Sequence, residues 1–368
     1  MLKRFALIVC AGTAWAGLNA APLGLPPVPV PENNPQTPDK IALGKKLFED
    51  KRFSSTGEVS CATCHDQRKA FTDNLRVSKG IKDLTGTRNA PTVINAAYLR
   101  TQFWDGREPS LERQSTQPFV NPVEMGLPDH GPILTVIRGD VDYTVAFRQV
   151  FGVSPGDIGM DHVSAAIASF ERTVVAGDSP FDRYLYGGES DALSEAAKRG
   201  FAVFTGKGRC VSCHRIEQTQ ALFTDNRFHN IGVGFKSIRG REAETAHEFV
   251  KEKRRGADVD VTVLTKQNMS ELGRFAVSEN LTEVGSFKTA TLRNIALTAP
   301  YMHDGSLKTL EDVVDFYANG GREKASDPRS DFLSGGIRVL DLNDEEKSDL
   351  VAFMESLTSP EFEALASH

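Results

Sequence analysis

Cys61-Ala62-Thr63-Cys64-His65 and Cys210-Val211-Ser212-Cys213-His214 are two copies of one pattern, Cys-x-x-Cys-His, and they absorb four of the five cysteines in the chain. In this pattern two thiols form thioethers to the vinyl groups of one haem, and the adjoining histidine becomes the proximal ligand of its iron. Other uses of paired cysteines explain less. A zinc ribbon would use two such pairs as four thiolates and leaves the histidine after each pair without a purpose. A thioredoxin-like centre needs only one pair, in a βαβ setting. With five Cys and eight His in 368 residues, one pentad arises by chance on the order of 10⁻³ times. Two pentads therefore imply two covalent c-type haems.

The length suits two domains of ordinary size, with one haem each as the simplest division. Net charge is −6, and no basic run interleaved with aromatics is present, which argues against a nucleic-acid partner. An acidic surface suits a basic electron carrier. Met1-Leu2-Lys3-Arg4, then apolar Phe5 to Ala11, then small residues from Ala14 to Ala21, read as an export signal over residues 1–21. The expected location is the periplasm. Cys10 would leave with the leader, and the other thiols are used by haem, so no disulfide is expected. A lipid anchor on Cys10 is the lesser alternative, because Val9 fits poorly just before a lipidated cysteine. No later stretch reaches 18 apolar residues, so no membrane span is expected.

Residues 22–38 hold seven prolines, which predicts an extended arm over the surface or a disordered leader. From Asp39 the pattern is helical, with Ile41, Leu43, Leu47 and Phe48 on one face before the first pentad. Ala196 to Phe204 repeats the arrangement before the second. This weak internal repeat predicts a mostly α fold of two cytochrome c-like domains, 39–180 and 181–368, each holding one haem. The boundary falls at Ala176 to Pro180 or at Gly187 to Ser190. Closing helices are expected at Val163 to Val174, started by Asp161, and at Glu345 to Leu357, started by Asn343 or Asp344. Lys236 to Glu283, charged and aperiodic, reads as a solvated excursion.

Further motifs are Arg88-Asn89-Ala90-Pro91-Thr92, Phe103-Trp104-Asp105-Gly106-Arg107, Asn121-Pro122-Val123-Glu124-Met125, Leu292-Arg293-Asn294 and Pro300-Tyr301-Met302-His303-Asp304-Gly305. In this order and spacing the chain resembles the bacterial di-haem cytochrome c peroxidases and their MauG-type relatives, over essentially its whole mature length. The resemblance implies that the haem on His65 is the peroxidatic one. It also implies that Glu124 is the distal acid and base, with Gln114 and Pro118 beside it. A partly desolvated carboxylate is suited to moving a proton between the two oxygens of a peroxide. Reductively activated members carry a distal histidine before Arg-Asn-Ala-Pro-Thr. The corresponding Val77 to Gly86 has none, which predicts an open, five-coordinate site in the ferric protein.

For the second haem, on His214, peroxidases of this family place a Met seventeen residues after the Pro of Pro-Tyr-x-His, whereas MauG-type enzymes use Tyr. Here the count from Pro300 lands on Tyr317, with Met302 as the alternative ligand. A phenolate favours the higher oxidation states of iron, a thioether Fe(II). Trp104 matches the residue lying between the haems in the family. MauG's further Trp, two residues before its second pentad, is Gly208 here. Asn89, Thr298 and Pro300 match a calcium site between the domains, oxygen donors that suit a hard cation. His229 and His303 are candidates for contacting haem propionates. His130, His162 and His247 read as loop or helix-start residues, and His368 as a solvated terminus.

Three functions follow. The first is peroxide reduction at the N-terminal haem with electrons passed through the C-terminal haem, from a small periplasmic cytochrome c or cupredoxin. The second is MauG-like use of peroxide, through a bis-Fe(IV)-type state, to oxidise aromatic side chains of a partner protein. The third, a di-haem electron carrier, needs a distal ligand at the first haem that the sequence does not offer.

Overall fold

The computed structural model describes residues 21–366. The export signal, up to residue 20, and His368 lie outside them. The longer helices are α1 (Pro38–Glu49), α2 (Gly131–Gly139), α3 (Val141–Phe151), α4 (Met160–Glu171), α5 (Glu195–Thr205), α6 (Glu242–Arg254), α7 (Leu310–Ala318) and α8 (Asp344–Glu355). Among the described residues the strand content is one two-residue antiparallel pair, Phe228–His229 against Phe287–Lys288. The chain is thus mostly helical.

Two helix pairs organise it. α1 begins at Pro38, whose fixed φ suits a first helical position, and Thr37 caps it by accepting the Lys40 N–H. It crosses α4 at Gly44, where a Cβ would lie 1.9 Å from the Ala166 carbonyl oxygen and 3.0 Å from Phe170 Cβ. α5 crosses α8 at Gly200 in the same way, 1.9 Å from the Asp349 oxygen and 2.9 Å from Phe353 Cβ. Only glycine allows backbones this close. α8 opens on a reciprocal cap between Asn343 and Glu346. α4 starts at Met160 with Gly159 as its cap, two residues earlier than the cap at Asp161 that the sequence suggests.

The repeat continues beyond these crossings. Asn95 and Asn294 both take left-handed φ, 64° and 59°. Their backbone N–H groups donate to Val174 and Leu357, just past α4 and α8. Gln102 bridges Glu108 as Tyr301 bridges Leu307, so Phe103-Trp104-Asp105-Gly106 and Met302-His303-Asp304-Gly305 occupy equivalent turns. Separate apolar clusters fill the two halves, one including Leu47, Phe119 and Phe147, the other Phe181, Phe204 and Phe353.

Residues 22–37 form an extended arm held by long-range bonds. The Gly24 carbonyl accepts from Arg293, the Pro26 carbonyl from Tyr98, and Asn34 donates to Glu112.

Residues 236–283 correct the sequence-based expectation of a solvated excursion. They carry their own buried cluster, including Phe249, Val263, Met269 and Phe275, with Val123 of the N-terminal half packed against it. Charge on the outer face of α6, where His247 is exposed, hid this core from a composition-based reading.

Candidate active site

The first pentad forms a single turn, Cys61–Cys64. His65 follows with Nδ1 3.2 Å from the Phe71 carbonyl oxygen. The second pentad repeats this, His214 Nδ1 lying 2.9 Å from the Phe223 oxygen. A carbonyl at Nδ1 fixes ring and tautomer and leaves Nε2 for a metal. Burial pushes both imidazole pKa values down, which favours the neutral ring that a metal ligand needs.

The surroundings of the first pentad fit a bound haem. Asp73 Oδ2, Ser78 Oγ, Glu124 Oε2 and Glu171 Oε2 are buried without a hydrogen-bond partner. The three carboxyl groups act electrostatically on the Cys61 or Cys64 thiol. Buried polar atoms are normally paired, so a cluster of orphans marks a pocket built to be completed by something else. The second pentad opens on a cavity lined by His214, Met302, Tyr317, Leu350 and Met354 together with both pentad cysteines.

Glu124 is held by its loop. Its N–H and that of Gly126 donate to the Asn121 carbonyl, and its own carbonyl accepts from Ile81 at 2.9 Å. Through Ile81 the histidine-free segment 77–86 lies directly against this loop. Gly80 touches it too, because a Cβ there would lie 2.1 Å from the Val123 oxygen. Gln114 ends the short helix Leu111–Gln114, and Pro118 follows in Gln117–Val120, its carbonyl accepting from Met125. Burial, then the neighbouring Asp260 carboxylate, pushes the Glu124 pKa up to about 8, against the pull of Arg107.

Asp260 was not singled out from sequence. It sits on the helix Val259–Thr265 of the 236–283 segment, pairs with Arg107 at 2.6 Å and accepts from Asn121. Arg107 also pairs with Asp105 at 2.9 Å, and Asp105 with Arg88 at 2.9 Å. Burial raises the Asp105 pKa, but Arg107 and Arg88 outweigh it and hold the carboxyl at about 2. No local motif around Asp260 signals this role, since its partners lie more than a hundred residues away.

Trp104, half-buried, donates its indole N–H to the Asn89 carbonyl at 2.9 Å, and the Asn89 N–H donates to the His303 carbonyl at 2.8 Å. Trp104 and Asn89 line the same cavity as His214. Thr298 and Pro300 line it as well. The Asn89 side-chain amide donates to Leu75, and its Oδ1 makes none of the structure's hydrogen bonds, so the donor set fits a hard cation. Tyr317 and Met302 both face this cavity. Burial, followed by the two pentad cysteines, pushes the Tyr317 phenol pKa up, which places the ring near Cys210 and Cys213. Its hydroxyl makes none of the structure's hydrogen bonds.

The other histidines divide as follows. His303 pairs with buried Glu271 at 2.8 Å and stacks on Phe287 at 3.6 Å. His229 pairs with Asp225 at 2.8 Å. With Cys213 these two form a three-donor cluster, but a thioether-bound Cys213 would not serve as a thiolate ligand. His130 bonds to the Thr116 carbonyl and His162 caps Gly159.

A family model described as di-haem cytochrome c peroxidase matches residues 38–190. The methylamine utilization protein MauG of Methylorubrum extorquens is 37% identical over 363 residues, covering 96% of this chain and 90% of that one. The cytochrome c551 peroxidase of Nitrosomonas europaea is 33% identical over 371 residues, covering 98% and 94%. A solved structure described as a MauG-like protein associated with microbial copper homeostasis superposes with a TM-score of 0.74 at 35% identity, covering 92% and 95%.

Proposed function

The chain belongs to the di-haem cytochrome c peroxidase family and is a haem oxidoreductase with two c-type haems, and from that premise we propose that it reduces hydrogen peroxide at the His65 site, with electrons delivered through the His214 site. Bound haem supplies the iron that polarises peroxide and the capacity to hold oxidising equivalents at two places. His65 and His214 hold it as neutral proximal ligands, in two cytochrome c-like domains. Glu124 would take the proton from one peroxide oxygen and hand it to the other, so that the O–O bond breaks and the second oxygen leaves as water. The two electrons passed through the His214 site and two further protons then reduce the remaining oxygen to a second water. The buried, unpaired Oε2 of Glu124 and its pKa near 8 are the observation that carries this reading.

The two sites are unequal. Ser110 and Thr309 cap equivalent helices, and eight residues later stand Pro118 and Tyr317. The Tyr317 hydroxyl can close the second site as a ligand, with Met302 as its competitor. Pro118 has no ligating atom, and 77–86 has no histidine, so the first site stays open in the ferric protein with Gln114 at its side. Trp104 lies where an electron or hole can pass between the sites. Asn89, Thr298 and Pro300 hold calcium.

A second reading, MauG-like oxidation of aromatic side chains on a partner protein, is favoured by Tyr317 and opposed by Gly208 where MauG has Trp. We place the protein in the periplasm, reduced by a small cytochrome c or cupredoxin. No described helix is long and apolar enough to cross a membrane.

Spin-resonance spectra of the ferric protein are expected to show one high-spin and one low-spin haem, and peroxide is expected to react without pre-reduction. Two low-spin haems, or a strict need for pre-reduction, would overturn the assignment. Turnover of a reduced small cytochrome supports the peroxidase reading. Peroxide consumption with no such turnover, but with cross-linking or hydroxylation of an aromatic-rich partner, supports the MauG-like one.

A further inference from the structure

Glu124 is not the only buried carboxyl at the first pentad. Glu171, the last residue of α4, is 5% exposed, and its Oε2 has no hydrogen-bond partner. After burial, its charge is the largest influence on the Cys61 thiol. The internal repeat says where it points. Gly44 meets the Ala166 carbonyl and Phe170, and Gly200 meets the Asp349 carbonyl and Phe353, which makes Glu171 the counterpart of Met354. Met354 lines the cavity of the second pentad. The same position is thus an apolar thioether at one pentad and a carboxyl at the other.

We propose that Glu171 is a redox-linked proton site of the first haem pocket. It takes up one proton when the pocket gains an electron from a one-electron donor, and releases that proton when the electron is withdrawn. Each transfer then leaves the net charge of the pocket unchanged, which in a low-dielectric interior removes most of its electrostatic cost.

The charged groups around Glu171 are few. Arg172, next along the chain, pairs with Glu112 at 2.7 Å and keeps Nη1 unpartnered. Glu112 stands on the short helix Leu111–Gln114 and is partly open to solvent, a route for the proton. Lys40 on α1 feels Arg172. Burial raises the Glu171 pKa, Arg172 opposes it, Glu112 adds to it, and the result is about 8. A site poised there exchanges its proton near neutral pH.

The proposal rests on the His65 site being a haem pocket, not on its reaction with peroxide. The test is a spectroelectrochemical titration of the holoprotein between about pH 6 and 9. For the His65 haem the reduction constant is expected to fall tenfold per pH unit above the Glu171 pKa, about 59 mV for a one-electron couple. Glu171→Gln and Glu171→Met are expected to flatten the dependence, while Glu124→Gln retains it. The infrared redox difference spectrum of the unaltered protein gives a readout that needs no variant, a protonated-carboxyl stretch that grows on reduction. An undiminished slope in both Glu171 variants, a slope lost instead in Glu124→Gln, or no such infrared signal overturns the proposal. If the slope is present but the ferric protein ignores peroxide, the functional reading falls and this one stands.

Discussion

In the proposed function Glu124 and Tyr317 carry opposite chemical tasks, and each can be tested by one substitution. Glu124→Gln keeps shape and removes the proton carrier, so the peroxide rate constant should drop by roughly 10²–10⁴-fold with ferric spectra unchanged, as read by stopped flow. In the unaltered protein that rate should rise with pH and level off above about 8, because a raised pKa leaves Glu124 mostly protonated, and unable to act as base, at lower pH. Tyr317→Met should raise the reduction potential of the His214 haem, since a thioether favours Fe(II) over the states a phenolate supports. Glu171 adds a stability effect with a definite sign. Its folded pKa lies above the ordinary carboxylate range, so its contribution is complete below that range and is lost as pH rises through about 8. Thermal midpoints should fall between pH 5 and 8 more steeply in the unaltered protein than in Glu171→Gln. The pentads were legible because haem attachment is written in five neighbouring residues, whereas Glu124 was singled out only through the resemblance of its motif to the family. Glu171 was not, because nothing in Ser169-Phe170-Glu171-Arg172 tells a buried glutamate from a solvated one.

At the scale of elements, the two glycine crossings decide whether each half can form. A methyl at Gly44 or Gly200 would enter backbone, which has no side-chain freedom to yield. Gly44→Ala and Gly200→Ala should therefore each cost about 1–3 kcal/mol or more by overpacking. The control is Gly139→Ala at the end of α2, where nothing lies within 4 Å of an added Cβ. There, chemical denaturation should show a gain of about 0.4–1 kcal/mol or no change. The helices before each pentad could be read from their apolar faces. That the feature shared by the two is a glycine meeting a carbonyl could not, because close approach is a property of pairs of helices.

The whole molecule ties its parts together through charge. Residues 236–283 follow the second pentad in sequence, yet Asp260 reaches the first site, joining Arg107, Asp105 and Arg88 in a buried network. Asp260→Asn should lower the Glu124 pKa by removing the second-largest influence raising it, and so shift the pH midpoint of the peroxide rate downward, measurable in the same stopped-flow series. Removing Arg107 instead would leave two buried carboxylates poorly paired, at about 3–5 kcal/mol. The sequence by itself determined the number of haems and the helical class, because covalent attachment and helical periodicity are local. Only the tertiary structure decided that Asp260 acts on Glu124 and Glu171 on the first pentad, and that Pro118 stands where Tyr317 stands in the other half. Burial and electrostatic coupling arise between residues far apart in the chain, and no spacing within it records them.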